Sequence, residues 1–213
     1  GAANTLTTVA GIPFYQGDSG SIYTHDVSGT DDTAINNTAF GLNAMDAITT
    51  GDVNTAFGNG AMGANTTGGS NTAVGHNALT ANTTASQNTA VGQESLKANT
   101  TGTANVAVGA EALKANTTAD NNTAVGMNSL LANTTGAANT GLGSHALATV
   151  TTGSNNVAVG VNALTAATTT DNNTAVGTNC LNAVTGGTAN VGVGTSVGVN
   201  VTTSSKNVLI GNE

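Results

Sequence analysis

Few side chains of this 213-residue chain could carry acid–base, nucleophilic or metal chemistry: three His, eleven Asp or Glu, three Lys and one Cys. A zinc site needs three or four convergent ligands. His25, His76 and His145 lie far apart in the chain and read as solvated surface side chains. Asp31 and Asp32 could offer a cation two adjacent carboxylates, although a polar turn is the simpler reading. Glu94 and Glu111 are each followed three residues later by a lysine, Lys97 and Lys114. Paired carboxylates can signal glycoside hydrolysis, but a lysine beside each one points instead to an exposed ladder of ion pairs. The lone Cys180 excludes an intrachain disulfide framework and a Cys-based zinc site, and reads as a small packed side chain. Gly192-Val193-Gly194 lacks the spacing of a dinucleotide-binding fingerprint. With a net charge of -8 and no Arg, the chain has no electrostatic grip on nucleic acid or an anionic membrane. No catalytic, cofactor-binding or metal-ligating residue is therefore expected, and no cofactor.

The elements that would have to position such a site are built from an unusual alphabet. Ala (35), Gly (29), Thr (40) and Asn (30) fill 134 positions, while only 7% of residues are charged and 2% aromatic. Thr, Asn and Gly are poor helix formers, which excludes a helical bundle. The scarcity of pocket-forming side chains argues against an ordinary enzyme. Sparse charge at neutral mean hydropathy excludes charge-driven disorder. No apolar stretch approaches the roughly 20 residues of a membrane-spanning helix. The chain does not begin with Met and shows no signal-peptide pattern, so it reads as a mature chain or a fragment.

Self-similarity dominates the rest. A unit of the type Asn-Thr-Ala-Val-Gly starts at Asn37, Asn54, Asn71, Asn88, Asn105, Asn122, Asn139, Asn156, Asn173, Asn190 and Asn207, always at an interval of seventeen. Counting each Asn as slot 0, slot +3 is large and apolar, from Phe40 and Phe57 through Val74, Val91, Val108 and Val125 to Ile210. Slot +4 is always glycine: Gly41, Gly58, Gly75, Gly92, Gly109, Gly126, Gly143, Gly160, Gly177, Gly194 and Gly211. Slot +7 is small, and slot +8 runs Met45, Met62, Leu79, Leu96, Leu113, Leu130 and onward to Leu181. Slot +12 is Thr throughout, including Thr66, Thr83, Thr100, Thr117 and Thr134, and slot +13 is Thr in all complete units but one.

Thr-Ala-Val ahead of an invariant Gly reads as a short strand and a tight corner, the Gly supplying positive φ or close backbone approach. Ala-Leu-x-Ala is a second inward-facing segment, a helical turn or a strand. Asn-Thr-Thr-Gly is a turn. A fixed period without insertions predicts one coil per repeat, hence an all-β parallel β-solenoid (β-roll) of eleven 17-residue coils over residues 37–213. At about 4.8 Å per coil, ten intervals span roughly 48 Å. The expected core is Val74, Val91, Val108 and Val125 with Leu79, Leu96, Leu113 and Leu130. One Leu and one β-branched residue per coil is little apolar area against the entropy of ordering a whole repeat. Three chains around one axis would gather six large apolar side chains per layer, so a homotrimer is expected.

The Val-Gly-x-x-Ala core with its Asn/Thr-rich spacing resembles the head repeats of trimeric autotransporter adhesins. The longer unit Asn-Thr-Ala-Val-Gly-x-Asn-Ala-Leu-x-Ala-Asn-Thr-Thr-Gly is similar to the repeat shafts of bacteriophage tail fibres, including those that end in an intramolecular chaperone domain. The resemblance spans residues 37–211. It implies a trimeric β-roll, extracellular on a virion or cell surface, that serves host or surface attachment without catalysis.

Residues 1–36 break the repeat and hold Pro13, Phe14, both Tyr and Asp18, Asp26, Asp31 and Asp32. They read as a cap on the stack, or else as a docking or receptor-contact module. The last unit, Asn207 to Glu213, stops mid-coil, which suggests a longer natural chain or end-to-end contact. Asn-x-Thr sequons at Asn65, Asn82, Asn99, Asn116 and Asn133 arise from the turn itself; that slot later becomes Val150, Ala167, Val184 and Val201, an exposed Asn ladder giving way to an apolar one. Calcium-binding repeats carry Asp in every unit, whereas Asp120 and Asp171 recur three coils apart, so no calcium is expected. Rival readings are an end-to-end filament and an ice-binding solenoid using the candidate Thr ladder. A polysaccharide-cleaving spike is disfavoured by the missing acids and aromatics.

Overall fold

The computed structural model describes residues 21–24 and 33–212, together with the backbone of three short strands before them. Of those three, β1 (Thr8–Val9) and β2 (Ile12–Pro13) pair antiparallel, and β3 (Tyr15–Gln16) pairs antiparallel with β4 (Ile22–Tyr23). From β4 onward every pairing is parallel. The strands are β5 (Thr38–Phe40), β6 (Thr55–Phe57), β7 (Thr72–Val74), β8 (Thr89–Val91), β9 (Val106–Val108) and β10 (Thr123–Val125). They continue as β11 (Thr140–Leu142), β12 (Val157–Val159), β13 (Thr174–Val176), β14 (Val191–Val193) and β15 (Val208–Ile210). From β5 on, each strand residue pairs with its equivalent in the adjacent repeat, as Val106, Ala107 and Val108 do with Thr123, Ala124 and Val125. The chain is thus an all-β parallel solenoid of about eleven turns, with no helix among the described residues.

Stacking also begins ahead of Asn37. Ile22 and Tyr23 pair with Thr38 and Ala39, and Ser21 Oγ accepts the Asn37 N–H at 3.0 Å, where an Asn side chain serves in later coils. Tyr23 pairs with Ala39, takes the slot that is Ala in most coils, and is fully buried. Phe14, Asp18, His25, Asp26, Asp31 and Asp32 lie outside the described residues.

Coils are tied along the axis at several points besides the strand. In the coil starting at Asn105, Leu113 N–H donates to Ser129 O, Ala115 to Leu131 O and Thr117 to Thr134 O in the next coil. Gly109 and Glu111 donate back to Val91 O and Gln93 O. The Ala-Leu-x-Ala segment is neither helix nor strand. It is a turn whose leucine is left-handed, with φ between 49° and 54° from Leu79 to Leu181. Slots +6 and +16 are left-handed as well, for example Glu111 (59°) and Asn121 (61°). A non-glycine residue there costs roughly 1–2 kcal/mol. So small a coil needs these corners, and the hydrogen bonds between coils hold them.

The interior of each layer is narrow. It holds Asn at slot 0, Ala at +2, a small residue at +7 and one Leu or Met at +8, all fully buried in the middle coils. The leucines Leu79, Leu96, Leu113 and Leu130 are core as expected. Val74, Val91, Val108 and Val125 are not: they lie half-exposed on the outer surface of the sheet. A three-residue strand alternates faces. With Ala of slot +2 pointing in, slots +1 and +3 must point out, and the cavity beside Leu has no room for a second large side chain.

Two Asn columns take the place of that missing apolar bulk. The slot-0 Asn side chains stack along the whole shaft, each Oδ1 accepting the next Asn's backbone N–H at 2.8–3.1 Å. The slot +11 column is buried too, which corrects the expectation of an exposed ladder. Asn82, Asn99, Asn116 and Asn133 each donate Nδ2 to the Oδ1 of the preceding Asn at 2.8–3.1 Å. Both columns also donate to one shared carbonyl per coil, as Asn71 and Asn82 do to Ala85 O. The sequons therefore have their amides locked inside the coil, and the change to Val150 is a change of core.

Candidate functional site

The invariant slot +4 glycines have φ between 128° and 154°. They also approach the next coil closely: a Cβ on Gly109 would stand 2.7 Å from the carbonyl carbon and oxygen of Gly126. Positive φ and close approach, offered as alternatives from the sequence, both apply. Glycine is used differently at Gly141 and Gly192, which occupy the Ala slot +2. A Cβ there would meet Ser129 Oγ at 2.5 Å and Cys180 Sγ at 2.7 Å. Ser129 and Cys180 sit in the small slot +7 one coil earlier, so a larger side chain in one coil is matched by a smaller one in the next. Likewise Leu209 in slot +2 packs on the core where Gly198 replaces the usual Leu of slot +8. These exchanges between coils are invisible when each slot is read singly.

The predicted ion-pair ladder forms. Glu94 binds Lys97 at 2.8 Å and Lys114 of the next coil at 2.7 Å, and Lys114 reaches Glu111 at 3.4 Å. Hydrogen bonds from Lys114 and then Lys97 lower the Glu94 carboxyl to about 2, and Glu94 in turn raises Lys114. Both glutamates are engaged by lysine. Burial raises the Cys180 thiol, consistent with a packed side chain. His76 and His145 are four coils apart; His145 sits between Ser144 Oγ (2.9 Å) and Asn128 Nδ2 (3.1 Å). Asp120 Oδ1 accepts Thr103 N–H at 2.6 Å and Asp171 Oδ1 accepts Ser154 N–H at 2.7 Å, so both acids serve the stacking of coils. Among the described residues no three His, Cys, Asp or Glu side chains cluster as metal ligands.

The Thr columns divide in two. Thr66, Thr83, Thr100, Thr117 and Thr134 are half-buried, and each hydroxyl donates to the carbonyl of the Thr one coil on at 3.0–3.4 Å. Their protons are used inside the stack. The neighbouring threonines of the next slot, Thr67, Thr84, Thr101, Thr118 and Thr135, are exposed.

A surface feature shared by every coil is the outer face of the long sheet. Slot +1 presents Thr or Val, and slot +3 presents only Phe, Val, Leu or Ile; neither carries a charge in any of the eleven coils. Phe40, Phe57, Leu142, Val159, Val176 and Val193 are 36–54% exposed. Leu42, Met127 and Val161, in slot +5, widen the strip. Phe40 and Phe57 stack with ring centroids 5.0 Å apart and planes inclined by 9°. Comparison with protein-family models, curated proteins and solved structures finds no match to this chain.

Proposed function

We propose that this chain is a non-enzymatic, rigid segment of an extracellular attachment fibre, built from three copies around a shared axis. The observation that carries the reading is the uncharged outer face running the length of the sheet, with a large apolar side chain at slot +3 in every coil beside Thr or Val at slot +1. A continuous column of exposed apolar side chains on a charge-free face marks an interaction site. Three such faces would supply the core that one Leu per coil does not, with slots +1 and +3 of each chain turned to the axis. The resemblance of the repeat to adhesin heads and tail-fibre shafts points the same way. The mechanism is mechanical: a stiff spacer presents a tip, and three identical outer surfaces offer multivalent contact to surface glycans. A double variant, Val91→Asp with Val108→Asp, tests it. Both side chains are already half-exposed, so the coil should form, shown by an unchanged β circular-dichroism signal, while assembly is lost; unchanged assembly would refute the reading.

A second reading rests on the exposed threonines of slot +13, a regular hydroxyl and methyl column suited to ordering water as an ice-binding surface. Thermal hysteresis of a cooled solution decides it, since a fibre shaft shows none.

A further inference from the structure

Self-association through a repeated face raises a question that the repeat cannot answer: which coil meets which. The strip from slot +1 to slot +5 covers on the order of 700 Å2, at about 4.8 Å per coil and 3.3 Å per residue. That approaches the roughly 800 Å2 per partner of a standard interface. A partner must match a rise repeated eleven times, and a second copy of this chain does so in every layer; the absence of charge in slots +1 and +3 removes any electrostatic objection to like meeting like. Yet slot +3 is Val in seven coils, at Val74, Val91, Val108, Val125, Val159, Val176 and Val193. Sliding one copy by a coil still sets Val against Val in five of the ten layers that remain shared, Val74/Val91, Val91/Val108, Val108/Val125, Val159/Val176 and Val176/Val193, and forfeits only one layer in eleven. Periodic interfaces of this kind are poorly specified in register.

We infer that the stacked pair Phe40–Phe57 fixes the register in which parallel copies of this chain associate. This rests on the self-association reading above. The two rings form a two-layer block, 41% and 54% exposed, standing out from the face at one end only. In register, Phe layers meet Phe layers and the rings bury one another. Slipped by one coil, one copy's Phe57 is driven against the partner's Val74 layer, where a larger ring overpacks the gap; the partner's Phe40 loses its counterpart, and only one of the two Phe layers is still matched by Phe. Packed antiparallel, the Phe end would lie against the Val208–Ile210 end.

Disulfide capture reads the register directly. A disulfide needs Cβ atoms about 3.5–4.5 Å apart, and a one-coil offset adds about 4.8 Å. Chains carrying Val108→Cys, isotopically labelled, are refolded with unlabelled chains carrying Val125→Cys and mildly oxidised; Cys180 is buried and stays out of reaction. The native Phe pair should give 108–108 and 125–125 links and no 108–125 link. With Phe40→Val and Phe57→Val, both residues that fill this slot elsewhere, the 108–125 link should appear at a comparable yield. Adding Val74→Phe and Val91→Phe to that background should suppress it again. An assembly of the Phe-free chain that stays wholly in register overturns the inference while leaving self-association standing. Native chains linked 108–125, or with no 108–108 link although assembled, overturn the parallel register. A monomeric native chain overturns the self-association reading itself.

Discussion

At Asn133 the inner Asn column ends in a buried carboxamide oxygen without a hydrogen-bond partner, because Val150 stands where the next Asn would donate. Val150→Asn supplies that donor, so its cost in thermal or denaturant unfolding should stay within about 1 kcal/mol, offsetting lost apolar burial with one hydrogen bond. Leu113→Ala, by contrast, empties the one large core position of its coil and should cost about 2–5 kcal/mol. Equal losses in the two variants would contradict the ladder account. Gly109→Val meets both a left-handed φ of 133° and the Gly126 carbonyl at 2.7 Å. That variant should fail to give the folded coil; a normal melting curve from it would remove the corner assignment. The Glu94 carboxyl is held near 2, against an ordinary 4.5, so its contribution is complete above pH 4.5 and fades as pH falls toward 2. The Lys114 contribution is complete below its ordinary 10.5 and is lost as pH rises through its raised value. The difference in melting temperature between native chain and Glu94→Gln should therefore shrink on acidification, and a difference that persists to pH 2 would sink the ion-pair explanation.

Strand, corner and turn are where the sequence was most informative and also where it misled. The fixed repeat period and the slot +4 glycines were enough to place every strand from Thr38–Phe40 onward. The facing of the strand was not legible in the same way. Hydrophobicity suggests Val inside, but when three strand residues alternate, either Ala alone or the two flanking residues can be interior, and single-chain coil width decides. The slot +11 Asn column was misplaced for a related reason. Asn is ordinarily a turn residue, and only stacking at a fixed rise lets each side chain find its hydrogen-bond partner in the adjacent coil. The left-handed leucines escaped altogether, since Leu has no preference for that conformation and adopts it here because closing the coil demands it. Pairings such as Ser129 with Gly141 were readable in principle, as a size exchange across one period.

For the whole molecule, the outer face of the sheet is decisive. A core of one Leu, two Ala-sized residues and one or two Asn per layer is held chiefly by hydrogen bonds between coils, while a second sizeable apolar side chain per coil, at slot +3, looks outward. Burying those side chains among three copies, as proposed, would reconcile the two observations and leave the variable slot +6 and the Thr column of slot +13 on the outside. Light scattering on a dilute, size-separated sample of the native chain tests this most directly. The expected result is three times the single-chain mass of 20.4 kDa. A stable species of 20.4 kDa, one chain alone, would contradict it.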